Sequence, residues 1–191
     1  DNSIMPIVIN GSGTVTGLSV GGLPDGTVDA DTLASSVPLG ITEADQWRIT
    51  ADFSSSADPV TSNWERNDTS FDKLGTGMTQ SSGVFTFPST GIWYIQYQGR
   101  FESTGNSSHV ATYLNCTTDN GSNWQEISQN LSSIDDGSGT WHGGTCGVGM
   151  FDVTNVSTHK VTLTVSMDSA TCKGNSTMHR TGMTFLKLGD T

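Results

Sequence analysis

The amino-acid sequence predicts an all-β fold, an antiparallel two-sheet sandwich preceded by an extended N-terminal arm. Three observations carry this. Of 191 residues, 52 are Ser or Thr and 23 are Gly, while 33% are hydrophobic and 14% charged. Ser, Thr and Gly are weak helix formers, so long helices are disfavoured. From about residue 47, apolar residues recur at every second position, the spacing of a strand with one buried face. Short clusters of Gly, Asn, Asp and Ser separate these runs, as turns would. No apolar 18-residue run and no sustained heptad appear. This excludes a helical membrane span and a coiled coil, and no membrane insertion is expected.

Taken in chain order, residues 1–46 come first. Ile4-Met5-Pro6-Ile7-Val8-Ile9 reads as a short edge strand, because Pro6 cannot donate to a ladder. Glycines at positions 11, 13, 17, 21, 22 and 26 follow, without the three-residue period of collagen. Asp29–Ser35 suits one helical turn capped by Asp29 or Asp31. A segment so poor in apolar groups cannot build a core of its own. Residues 1–46 are therefore read as an extended docking arm, and residues 47–191 as the folded domain.

Eight strands are predicted in that domain: Trp47–Phe53, Gly83–Phe87, Ile92–Phe101, Val110–Asn115, Gln125–Ser128, Val148–Val153, Lys160–Met167 and Met183–Leu188. Val161, Leu163, Val165 and Met167 alternate strictly with polar neighbours, as do Trp47, Ile49, Ala51 and Phe53. Ile92 and Tyr94 make the start of the third strand apolar on both faces, which marks a strand covered on both sides.

Charge and cysteine content remove several function classes. Eight basic residues oppose nineteen acidic ones for a net charge of -11, and none of the first 47 residues is Lys or Arg. The four arginines, Arg48, Arg66, Arg100 and Arg180, are scattered. Such a surface repels phosphate backbones, so no nucleic-acid partner is expected. Cys116, Cys146 and Cys172 form no CxxC pair, which argues against a zinc or iron–sulfur site. They leave open one disulfide with a free thiol, or three thiols. The chain begins at Asp1 with no charged-then-apolar leader, so no signal peptide is expected.

The most informative stretch is Gly83-x-Phe85-x-x-Pro88-x-x-Gly91-x-Trp93. Phe85 suits a core position, Pro88 stops a strand, Gly91 permits a tight turn, and Trp93 opens a central strand. This spacing resembles the globular head of the C1q/tumour-necrosis-factor superfamily, which has Tyr where Trp93 stands. Phe71 with Gly75, and Thr181-Gly-Met-Thr-Phe-Leu-Lys-Leu188, are similar to that family's early and last strands. The resemblance spans residues 47–188. It implies an antiparallel jelly roll that assembles as a homotrimer, with Tyr94, Tyr97 and Phe185 as candidate interface residues; the alternative is that these three are intrachain core.

A second resemblance lies near the ends. Gly22-Leu-Pro-Asp-Gly-Thr-Val-Asp-Ala-Asp-Thr-Leu-Ala34 resembles linkers in bacteriophage structural proteins, and Phe185-Leu-Lys-Leu-Gly-Asp-Thr191 resembles chain ends of C1q-like proteins of marine phages. Together these imply a virion protein: a trimeric tail fibre, head fibre or capsid decoration. Its arm would dock other virion proteins, and its jelly roll would adhere to a host-surface glycan or protein. The alternative is a secreted, glycosylated C1q-like recognition module. Eight Asn-x-Ser/Thr sequons, at Asn10, Asn67, Asn106, Asn115, Asn120, Asn130, Asn155 and Asn175, favour that alternative. In a loop-rich β protein the same tripeptides also serve as turn chemistry.

Nothing in the sequence points to catalysis, and the expectation is a non-enzyme. The four histidines show no HExxH or HxH spacing, and no G-x-S-x-G elbow occurs. Thr117-x-Asp119-x-Gly121-x-x-Trp124 resembles an Asp-box, which implies a rigid hairpin. No cofactor is expected. Asp119 and Asp135-Asp136-Gly137 are the carboxylates that Ca²⁺ would use, against the commoner role of solvated turn residues. Trp64, Trp141 and His142 sit in Ser/Gly/Asn-rich loops of the kind that form recognition surfaces, and are the candidates for that role.

Overall fold

The computed structural model describes residues 8–9, 15–16, 40–134 and 139–191. The chain divides into two compact units, Asp1–Gly40 and Ile41–Thr191. In the first, β1 (Val8–Ile9) pairs antiparallel with β2 (Val15–Thr16). The expected helical turn at Asp29–Ser35 lies outside the described residues.

The second unit is an all-β antiparallel jelly-roll sandwich. One sheet has the order β11–β8–β14–β3–β4, with β13 added to β8 and β5 to β3. Its strands are β3 (Ala44–Ile49), β4 (Trp64–Arg66), β5 (Lys73–Leu74), β8 (Gly91–Ser103), β11 (Trp141–Val153), β13 (Thr171–Cys172) and β14 (Gly182–Gly189). The other has the order β10–β9–β12–β7–β6, from β6 (Thr79–Ser81), β7 (Val84–Thr86), β9 (Ser107–Thr117), β10 (Gln125–Ile134) and β12 (Lys160–Met167).

Between the sheets lie Phe85, Trp93, Ile95, Tyr97, Leu114, Leu163 and Phe185, all at most 1% exposed. Phe85 is the hub: Trp64 and Trp47 meet it edge-on at 4.9 and 5.5 Å, and Phe185 lies 5.4 Å away. A second cluster, around Ile49, Phe101, Val110 and Val165, fills the other end. The 83–93 motif performs the roles its residue types imply. Gly83 has φ +79°, and a side chain there would collide with the Val60 carbonyl. Gly91 has φ +141° and abuts the Gly189 carbonyl, while Trp93 Nε1 donates to Ser89 O at 3.3 Å.

Three expectations are corrected. Ala44, Asp45 and Gln46 pair with Leu186, Phe185 and Thr184, so the domain starts near Ile41 rather than at residue 47. The first strand ends at Ile49, and Phe53 makes only an isolated bridge to Cys172. Gln125–Ser128 and Val148–Val153 are the cores of strands that run on to Ile134 and back to Trp141.

Candidate functional site

Tyr97 and Phe185 are 0% exposed within one chain, so they are core residues and cannot meet a second chain. The reason is pleat alternation: on β8 the odd-numbered residues 93–101 point into the sandwich and the even-numbered ones point out. Tyr94 stays on the outer face. Register places Met150, Tyr94, Leu186 and Ala44 side by side across β11, β8, β14 and β3. The next row is Val148, Gln96, Thr184 and Gln46. Met150 is 53% exposed, Tyr94 and Leu186 are half-buried, and Val148 is exposed. The outer face of the larger sheet thus carries an apolar patch of Met150, Val148, Tyr94 and Leu186 towards β11, whereas Ala44 at the β3 end is only 8% exposed.

The recognition candidates separate. Trp64 is not a surface platform: it packs on Phe85, and its Nε1 donates to Val60 O at 2.7 Å. Trp141 and His142 do reach the surface, at the end of the larger sheet where β11 meets β8 and β13. Glu102 gathers basic side chains there: Lys173 Nζ at 3.1 Å, Arg100 Nη2 at 3.2 Å and His142 Nδ1 at 3.4 Å. Desolvation pushes the Glu102 carboxyl up, but the Lys173 hydrogen bond and the surrounding cations outweigh it and hold the carboxyl below its usual range. Hydrogen bonds to Asp52 and Glu102 raise the Lys173 ammonium in turn. This cluster borders an open depression of about 610 Å³ that includes Ser54, Thr140 and Asp168.

The Asp-box expectation corresponds to the turn between β9 and β10. Asp119 Oδ1 accepts from Thr117 Oγ1 at 2.7 Å and Asn123 N at 2.9 Å, and Oδ2 accepts from Asn123 Nδ2 at 2.6 Å. Asn120 and Gly121 take φ of 59° and 89°, the left-handed conformations favoured by an Asn-Gly turn. With both oxygens engaged by its own hairpin, Asp119 caps the turn. Among the described residues no group of three or more His, Cys, Asp or Glu side chains is placed to hold a metal ion. Asp135-Asp136-Gly137 lies outside the described residues, as does Asn10.

The sequons serve local structure at several positions. Asn67 is 8% exposed and bonded through both side-chain atoms to Arg48 and Gln46. Asn115 donates to Thr164 Oγ1 at 2.9 Å, and Asn155 and Asn175 cap turns by accepting from Ser157 N and Thr177 N. Asn106 and Asn120 are exposed. All three cysteines are free thiols; Cys116 and Cys172 are buried and Cys146 is exposed.

Two kinds of residue escaped sequence reasoning. Met150 and Leu186 were readable as the outward positions of predicted strands, but only register aligns them with Tyr94. Trp124, named in the sequence only as part of the hairpin motif, stands 41% exposed.

No protein-family model matches the chain, and no curated protein matches it in sequence. Solved structures do match. The crystal structure of murine APRIL at pH 8.5 superposes with a TM-score of 0.56 at 14% identity, covering 76% of this chain and 98% of that one. The structure of Eiger TNF from S. frugiperda gives 0.58 at 11% identity, covering 80% and 96%. These likenesses establish the jelly roll as one of the tumour-necrosis-factor type.

Proposed function

We propose that the chain is a homotrimeric, non-enzymatic recognition module that adheres to a host surface. It would be carried on a virion as a phage fibre or capsid decoration, with residues 1–40, the part of the expected 1–46 arm that lies outside the jelly roll, docking to other virion proteins. One observation carries the self-association: the apolar patch of Met150, Val148, Tyr94 and Leu186 on the outer face of the larger sheet. Covering such a patch removes apolar surface from water at about 25 cal/mol per Å². The tumour-necrosis-factor-like fold supports the reading, and the linker-like Gly22–Ala34 segment and the chain end support the phage setting. Adhesion through three equal sites on one axis gains from effective concentration, so each site can be weak.

Sedimentation equilibrium tests it. The expected mass is three times that of the chain, and Met150→Arg with Tyr94→Glu gives a folded monomer. A wild-type chain that stays monomeric at tens of micromolar overturns the reading. The exposed sequons at Asn106 and Asn120 favour the second reading, a secreted glycosylated module. Intact mass decides between the two: added hexose-containing mass on the natural protein supports secretion, and the bare polypeptide mass supports the virion.

A further inference from the structure

We infer that the outer face of the five-stranded sheet carries a groove for a neutral, hydroxyl-rich saccharide, with Trp124 as its stacking platform. This deepens the adhesion reading, on which it rests, by naming a ligand class and a place.

Two adjoining depressions of about 330 and 530 Å³ share Asp58, Asn115 and Glu126. Pairing across β10, β9 and β12 puts Glu126, Asn115 and Thr162 in one row and Gln129, Tyr113 and Thr164 in the next. Segment 57–60 forms the opposite wall: Ala57 bridges Val165, and Val60 N donates to Leu163 O at 2.9 Å. Hydrogen bonds pre-order the floor. Asn115 Nδ2 donates to Thr164 Oγ1 at 2.9 Å, which donates to Asp58 Oδ1 at 2.6 Å. Asp58 and Asn115 each keep one side-chain oxygen as an acceptor, and among the described residues Glu126 makes neither a hydrogen bond nor an ion pair. Trp124 stands at the end of the groove on the hairpin that Asp119 ties down, its ring 3.6 Å from where a Cβ of Gly121 would lie.

The chemistry selects the ligand. An exposed indole face presents negative potential that attracts the C–H edges of a pyranose ring. Carboxylate and amide oxygens accept from vicinal hydroxyls in charge-assisted bonds. No Lys or Arg lines either depression, so phosphate, sulfate and carboxylate groups meet only Asp58 and Glu126 and are repelled. The groove lies on the opposite side of the sandwich from the Met150 row, so self-association through that row leaves it open in every subunit.

The test uses the full chain with immobilised dextran, mannan and galactan as neutral probes and heparin as the anionic one, read by biolayer interferometry. The expected result is binding to at least one neutral probe and none to heparin. Trp124→Ala and Glu126→Gln should each weaken binding tenfold or more, and Trp141→Ala should leave it unchanged. Glu126→Gln keeps the test valid if Trp124→Ala disturbs the hairpin, because its carboxyl holds no part of the fold. Binding to none of the neutral probes, preference for heparin, or unchanged affinity in both groove variants overturns the groove. The mass of the same samples separates the readings: a trimer with unaffected binding refutes the groove alone, whereas a monomer refutes the trimeric module.

Discussion

Asp119 shows how one residue can hold a surface hairpin by hydrogen bonding. The Asn123 side chain, the Asn123 backbone N–H and the Thr117 hydroxyl all donate to it and hold its carboxyl down to about 2, against an ordinary 3.8. Because the folded value is depressed, the stabilisation is present in full above pH 4 and lost as pH falls towards 2. Amide exchange at Asn123 should therefore stay slow to about pH 3, and Asp119→Asn should flatten the acid limb of that profile. Burial acts in the opposite sense on the thiols, pushing Cys172 up to about 12 and Cys116 also upwards. Ellman titration of the native chain should count Cys146 alone, and all three thiols after denaturation. Gly147 is a packing residue: a Cβ there would run into the Tyr97 ring from the neighbouring strand. Gly147→Ala should cost about 1–3 kcal/mol in denaturant unfolding, as overpacking does.

Strand β3 illustrates what an element needs beyond its own pattern. Its inward Asp45 is 1% exposed and would be costly if unpaired. It accepts from Trp47 Nε1 at 2.9 Å, Met78 N at 2.7 Å and Arg66 Nε at 3.0 Å, with the Arg66 guanidinium 4.7 Å above the Trp47 ring. Asp45→Ala strands several of these donors at once and should destabilise by about 3–5 kcal/mol in urea melts, whereas Asp45→Asn should cost less. Strand β12, in contrast, was legible residue for residue, because Val161, Leu163, Val165 and Met167 all point into the sandwich, the first two into one cluster and the last two into the other. Strand β10 was read short because it is mostly exposed, and backbone pairing with β9 holds it where side chains give no signal. Four strands of two or three residues, β4, β5, β6 and β13, went unread because so few positions show no period.

At the scale of the whole molecule, the proposed reading gives the sandwich two working faces, one for copies of itself and one for ligand. Deleting residues 1–40 should leave the trimer mass and the β circular dichroism of the remainder unchanged, since the jelly roll closes its own core from Ile41 onward. Under the virion reading the same deletion abolishes incorporation into particles, scored by immunoblot of purified phage. Loss of the trimer on deletion would instead assign assembly to the arm.

By itself the sequence determined the all-β class, the core position of Phe85, the central strand that Trp93 opens, and the turns around Gly91 and Asn120-Gly121. These depend on local backbone freedom and on alternation within one strand, both of which are written in neighbouring residues. The tertiary structure decided which outward residues meet. Met150, Tyr94 and Leu186 come from three strands far apart in the chain, and in the groove the β9–β10 pair Asn115 and Glu126 meets Asp58 from the 57–60 segment. Strand register is a property of pairs of segments, and no window along a single segment contains it.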